Sequence, residues 1–141
     1  MSDKKEEILK LNKKFYEAIG NNDMDLMESV WVKDHRAKCI HPGWPLLIGW
    51  DPIKKSWANI FIAGGISGVQ ITDIHIELTD EVCWVTCIEH VSHIMSDKVA
   101  INLVQATNVF EDRGNDKWNI VLHHASSIPI TRGYVNKETL Q

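Results

Sequence analysis

"VQITDIHIEL", residues 69–78, decides the fold. Its apolar side chains stand at odd positions 69 and 71, then at even positions 74, 76 and 78. Alternation of this kind puts every second side chain on one face of a strand. The parity switch midway predicts a β-bulge near Thr72–Asp73, which bends the strand.

The period of two continues downstream. "VCWVTCIEHVSHIM" (82–95), "VAINLVQATNVF" (99–110) and "WNIVLHHASS" (118–127) complete four strands. The connections "TDE", "SD" and "EDRGND" are short enough only for antiparallel neighbours. Upstream the period is helical. Residues 3–19 carry Ile8, Leu11, Phe15, Ala18 and Ile19 at helical spacing, with a capping box from Asp3 and Glu6 and a stop at Gly20. Asp23 caps a second helix with a stripe of Met24, Met27, Val30 and Trp31. After a short strand, "AKCIH" (37–41), Asp51 and Pro52 open a third helix that shows Ile53, Trp57, Ile60 and Phe61 on one face. Three helices followed by a short strand and a bent four-stranded meander make an α+β fold, with the helices on one face of a curved antiparallel sheet. The gap between them is conical, and either large side chains or a ligand fill it.

The totals set outer limits. A chain of 141 residues suits a single domain, here 1–141 with a core over about 5–127 and a loosely held tail, "PITRGYVNKETLQ". A formal charge of −4 argues against nucleic acid, which rewards clustered Lys and Arg. No apolar run reaches the roughly 20 residues that span a bilayer, and the start, "MSDKKEEILK", lacks an apolar signal core, so a cytoplasmic protein away from membranes is expected. Cys39, Cys83 and Cys87 form no Cys-x-x-Cys pair and are expected as buried reduced thiols. The histidines form no helical i, i+4 pair, so no metal site is expected, and with no phosphate-binding Gly-rich loop or dinucleotide fingerprint no other cofactor is expected either.

Four segments carry a resemblance: "CIHPGWPLLIGWDPIKKSWANIF" (39–61), "VCWVTCIE" (82–89), "ATNVF" (106–110) and "WNIVLHHAS" (118–126). In order and separation they resemble the SnoaL-like branch of the superfamily that includes ketosteroid isomerase, scytalone dehydratase and nuclear transport factor. The resemblance implies a cystatin-like α+β barrel and a homodimer through the outer sheet face. It puts His41 at the place of the ketosteroid isomerase general base, with imidazole for carboxylate. The two enolate-stabilising positions of that enzyme fall on Phe15 and near Ala106, so its chemistry is not implied. Tyr16, one residue on, points about 100° away on a helix.

A histidine titrates near neutrality, so His41 can move a proton in a pocket or can merely satisfy a strand end. Glu89 shares a strand face with Val85, Cys87 and Val91, where a carboxylate needs a partner such as His41, His124 or Asn108. Asn108 can donate to a ligand carbonyl or bond within the sheet. Trp44 sits in a Pro-Gly loop where no periodicity demands a large ring, and Trp57 lies on the apolar face of the third helix. His123 and His124 point to opposite faces of the last strand, and His124 shares parity with Trp118, Ile120 and Leu122. The candidate catalytic set is therefore His41, Glu89 and Asn108, with Phe15, Trp44, Trp57 and His124 as ligand contacts. The leading expectation is a protein that binds a small apolar or cyclic molecule. One alternative is an enzyme transferring a proton beside a carbonyl, with His41 as base; another is an interaction module whose cone is filled.

Overall fold

The computed structural model describes residues 2–129. Its elements are α1 (Ser2–Asn21), α2 (Met24–Ser29), β1 (Lys38–Ile40), β2 (Leu47–Ile48), α3 (Trp50–Ala63), β3 (Gly68–Leu78), β4 (Val82–Met95), β5 (Lys98–Asp112) and β6 (Trp118–Ser127). The strands form one sheet in the order β2-β1-β6-β5-β4-β3. From β3 to β6 it is an antiparallel meander, as its short turns require. The sheet is nonetheless mixed, because β1 lies parallel to β6 while β2 pairs antiparallel with β1. It stays open, with β2 and β3 at its edges.

The bulge expected from residues 69–78 is present. Pairing of β3 with β4 shifts between Thr72 and His75, and Asp73 takes a positive φ of 53°. Ile71 and Ile76 thereby reach the same inner face, opposite Glu89 and Val85. A second irregularity was not legible. On β6, Leu122 pairs with Val109 but Ile120 pairs with Phe110, so Val121 is an extra residue. Parity flips across it: Trp118 and Ile120 are buried before it, His123 and Ala125 after it. Beside the bulge the segment leaving α2 bonds to both sides of Ile120, through Val32 N–H to Ile120 O (2.8 Å) and Ile120 N–H to Val30 O (2.8 Å).

The helix ends differ from expectation in detail. α1 begins at Ser2, ahead of the expected cap, and runs past Gly20 to Asn21, where Asn22 takes the left-handed turn at φ 51°. Asp23 does cap α2, its side chain accepting from Leu26 N–H at 3.0 Å. α3 starts one residue before Asp51: Gly49 at φ 92° is its cap, which leaves Pro52 in the first turn, where its missing N–H costs nothing. Gly64, at φ 66°, ends it as expected for a left-handed C-cap. The tail beyond Pro129 lies outside the described residues.

The core lies between the helices and the inner sheet face. Phe15 is fully buried at its centre, with edge-on contacts to Tyr16, Trp31 and Trp57 and a tilted contact to His123. Cys39, Cys83 and Cys87 are buried free thiols. Among the described residues no helix is long and apolar enough to cross a membrane, and no three His, Cys, Asp or Glu side chains gather to hold a metal ion.

Candidate functional site

Part of the cone stays open. Between α1, α3 and the inner sheet face is a cavity of about 360 Å³. Its walls are mainly apolar, with Ile19, Ile60, Val69, Val91 and Val104 among them. His41, Glu89 and His123 are the buried polar side chains that reach it. Pro42, Trp44, Gly65 and His93 stand where it meets the surface. The opening is held on one side by His93, whose Nδ1 lies 2.8 Å from the Gly65 carbonyl, and on the other by Trp44, edge-on to His41 at 4.8 Å.

His41 follows directly on β1, so its place is set by the pairing of that strand with β6. Its ring is wedged edge-on between Trp44 and Trp57. Nε2 lies 2.8 Å from Ser56 Oγ, on α3. Burial without a carboxylate partner pushes the imidazole down to about 4, so it is neutral near pH 7. His41, one of the three partners considered for Glu89, thus bonds to Ser56 instead.

Glu89 projects from the middle of β4 and is nearly buried. Tyr16, on α1, donates its hydroxyl proton to Glu89 Oε2 at 2.7 Å. Burial pushes the carboxyl up to about 7, and the Tyr16 hydrogen bond only partly offsets it. The phenol in turn is held well above its ordinary value by burial, then by the neighbouring Glu89 and Cys87. Tyr16 reaches this place because α1 buries a broad arc, with Asn12, Phe15, Tyr16 and Ile19 all inside. The turn of about 100° between Phe15 and Tyr16 therefore does not carry Tyr16 out of the core.

Asn108 is not available to a ligand. It is fully buried behind the cavity, donating to Asn12 Oδ1 (2.8 Å) and Tyr16 Oη (3.1 Å), while its Oδ1 meets His123 Nδ1 at 2.6 Å. Phe15 likewise backs the site without lining it. His124 is a further correction: the Val121 bulge turns it outward, where it is exposed, and turns His123 into the cavity. Burial pushes His123 down to about 3, with smaller contributions from His41 and His124. Of the seven residues expected at the site, His41, Glu89, Trp44 and Trp57 line one cavity; Asn108, Phe15 and His124 do not.

Three participants were missed: Tyr16, Ser56 and His123. For two of them the sequence held a signal. Ser56 sits three residues after Ile53 and four before Ile60, on the apolar stripe of α3. Tyr16 and Asn12 stand likewise in the stripe that links Ile8 to Ile19. A polar residue on a buried stripe needs a specific partner.

Such an arrangement, apolar walls around a few convergent polar groups with displaced titration, is what a small-molecule site looks like. Residues 8–131 match the model of the SnoaL-like domain. A solved structure from Streptomyces avermitilis, presented as a candidate dehydratase of the NTF2-like family, is 30% identical, covers 92% of this chain and 99% of its own, and superposes with a TM-score of 0.80. A candidate association domain of calcium/calmodulin-dependent protein kinase type II from Thiobacillus denitrificans is 29% identical over 84% of this chain and 93% of its own, with a TM-score of 0.75. The F-box protein SKIP8 of Arabidopsis thaliana is 26% identical over 123 residues, 84% of this chain; the match spans about half (48%) of that protein's length. With its helices packed on a bulged, open sheet and the family model matched over nearly its whole length, the chain belongs to the SnoaL-like domain family of NTF2-like folds.

Proposed function

We propose that this protein binds a small, largely apolar molecule in the cavity of about 360 Å³, with Glu89, His41 and His123 as the polar contacts. One observation carries the reading: Phe15 and Phe61 both pack on Trp57 and still leave the cone open. A filled cone would have favoured an interaction module. The test is a thermal-shift screen against steroids, terpenoids, polyketide-like ketones and small carboxylates. A ligand at a hundred times its Kd adds about 2.7 kcal/mol, enough to raise the midpoint by several degrees. Ala63→Trp, at an exposed lining position, fills the mouth without touching the core. A hit that Ala63→Trp abolishes supports the reading, and one that it leaves unchanged rejects it.

A second reading, proton transfer on the bound molecule, is favoured by Glu89. A carboxyl near 7 in a largely apolar pocket can take and return a proton at working pH, whereas an imidazole near 4 is a weak base. In this version Glu89 takes the role that position alone would give His41. Turnover that Glu89→Gln removes while binding survives would establish it.

The outer face of β4 and β5 supports one further proposal, that two copies pair there. Trp84, Ile94, Val99 and Ile101 share that face and are exposed. Sedimentation should show a dimer that Ile101→Glu dissociates; a wild-type monomer at micromolar concentration would reject it.

A further inference from the structure

Hydrogen-bond direction inside the protein fixes what the cavity can offer a ligand. Ser56 has one hydroxyl proton, and it goes to the Ile53 carbonyl at 2.7 Å. Its oxygen can therefore only accept from His41, so the His41 proton sits on Nε2 and Nδ1 carries the lone pair. Beside that lone pair stands the Cys39 thiol at 4.0 Å, a weak donor at long range. The same reasoning runs along the second chain of bonds. Tyr16 gives its proton to Glu89, so its oxygen accepts from the Asn108 amide. Asn108 has both amide protons committed, and its carbonyl must accept from His123 Nδ1. His123 thus holds its proton on Nδ1 and leaves Nε2 as a bare acceptor on a ring that lines the cavity.

Two neutral imidazoles and a carboxyl group converge on one cavity, and each turns its hydrogen-bonding proton or its Tyr16 partner toward the protein. The Trp57 indole N–H, the other buried polar group in the wall, is unpaired but sealed from the open space. Asn102, Ser127 and Trp44, which can donate, are exposed lining residues rather than buried ones.

We infer that, with Glu89 ionised, the buried end of the cavity accepts hydrogen bonds without donating them, so that its ligand is an apolar ring compound bearing a hydroxyl rather than a ketone or a carboxylate. The inference rests on the pocket reading and names its ligand class. A carboxylate would meet three lone-pair surfaces and no donor, and would lose its water for nothing. A ketone would find no partner there while Glu89 is ionised. An ammonium can donate, but it must shed more water than a hydroxyl to enter an apolar cavity.

Two measurements test it. In the first, ¹⁵N-histidine correlation spectra of the free protein should place the proton on Nε2 of His41 and on Nδ1 of His123, unchanged from pH 6 to 8. The opposite tautomer at either ring overturns the inference whatever binds. In the second, calorimetry at pH 8 compares four compounds on one bicyclic body: 2-decalol, its methyl ether, 2-decalone and decalin-2-carboxylate. The alcohol should bind at least about 10-fold more tightly than each of the others, a margin of about 1.4 kcal/mol. Equal or tighter binding of the ketone or the carboxylate overturns the inference and leaves the pocket reading standing. If none of the four binds, the ligand class named here is rejected, and the pocket reading is decided separately by the thermal-shift screen.

Discussion

Replacing Glu89 with glutamine should make the protein more stable, and only above a certain pH. The substitution keeps the shape and the acceptor for the Tyr16 hydroxyl, 2.7 Å away, and removes the charge. Burial raises the Glu89 carboxyl from 4.5 to about 7. Below 4.5 the carboxyl is protonated in both folded and unfolded chains, and it costs nothing. Between 4.5 and 7 the unfolded chain has lost its proton and the folded chain has kept it, so stability falls as pH rises. Above 7 the full penalty is present, about 3 kcal/mol at 1.36 kcal/mol per pH unit. Glutamine carries no such penalty. Urea midpoints measured from pH 4.5 to 8 should show Glu89→Gln equal to wild type at the acid end and more stable by about 3 kcal/mol at the alkaline end. For a chain of this size that is about 10 °C in Tm. The depressed histidines enter both proteins alike and cancel in the difference. A gap that ignores pH, or a variant less stable than wild type at pH 8, would refute the reasoning: the carboxylate would then have a favourable partner in the folded state.

The pair His123 and His124 gives a sharper contrast than either alone. His124→Ala, at an exposed position, should shift stability by less than about 0.5 kcal/mol. His123→Ala, which leaves Asn108 Oδ1 unpaired beside a new void, should cost about 2–3 kcal/mol in denaturant titrations, and equal effects would contradict the outward turn of His124. Asn108→Leu strands Tyr16, Asn12 and His123 together and should cost about 3 kcal/mol or more, with a near-neutral result arguing against the buried chain of bonds. Acid should weaken the fold through the histidines: both are depressed, to about 4 and about 3, so their contribution is complete above 6.5 and is lost as pH falls toward those values. A double His41→Gln, His123→Gln variant should flatten the decline that wild type shows below pH 6.5.

Much of the architecture was legible because it rests on local periods. The parity switch in residues 69–78 foretold a bulge that the register shift between Thr72 and His75 bears out, and the helical stripes placed α1, α2 and α3 to within a few residues. Strand alternation put Glu89 on the face of Val85, Cys87 and Val91, and that face is the buried one. What failed to show did so for a physical reason. Val121 is an apolar residue among apolar residues, so the slip it causes leaves no mark on the hydrophobic pattern. The slip is set by tertiary pairing, with residues 30–32 bonded at Ile120 and β1 bonded from Leu122 onward. Parallel pairing of β1 with β6 is equally invisible, since three residues carry no period. Partner choice between His41 and Ser56 or between Glu89 and Tyr16 depends on how separate helices dock, and spacing within one element does not encode that.

The bulge at Val121 has a consequence for how the site could survive change. Were the extra residue drawn into regular pairing, with Ile120 still opposite Phe110, everything C-terminal to it would slip by one position and trade faces. His123 would turn to solvent and His124 would turn in, displaced along the strand by about 3.3 Å. An imidazole would still look into the cavity. The adjacent repeat of the same side chain makes this strand tolerant of a single-residue slip that would, with any other neighbour, have replaced the group facing the cavity.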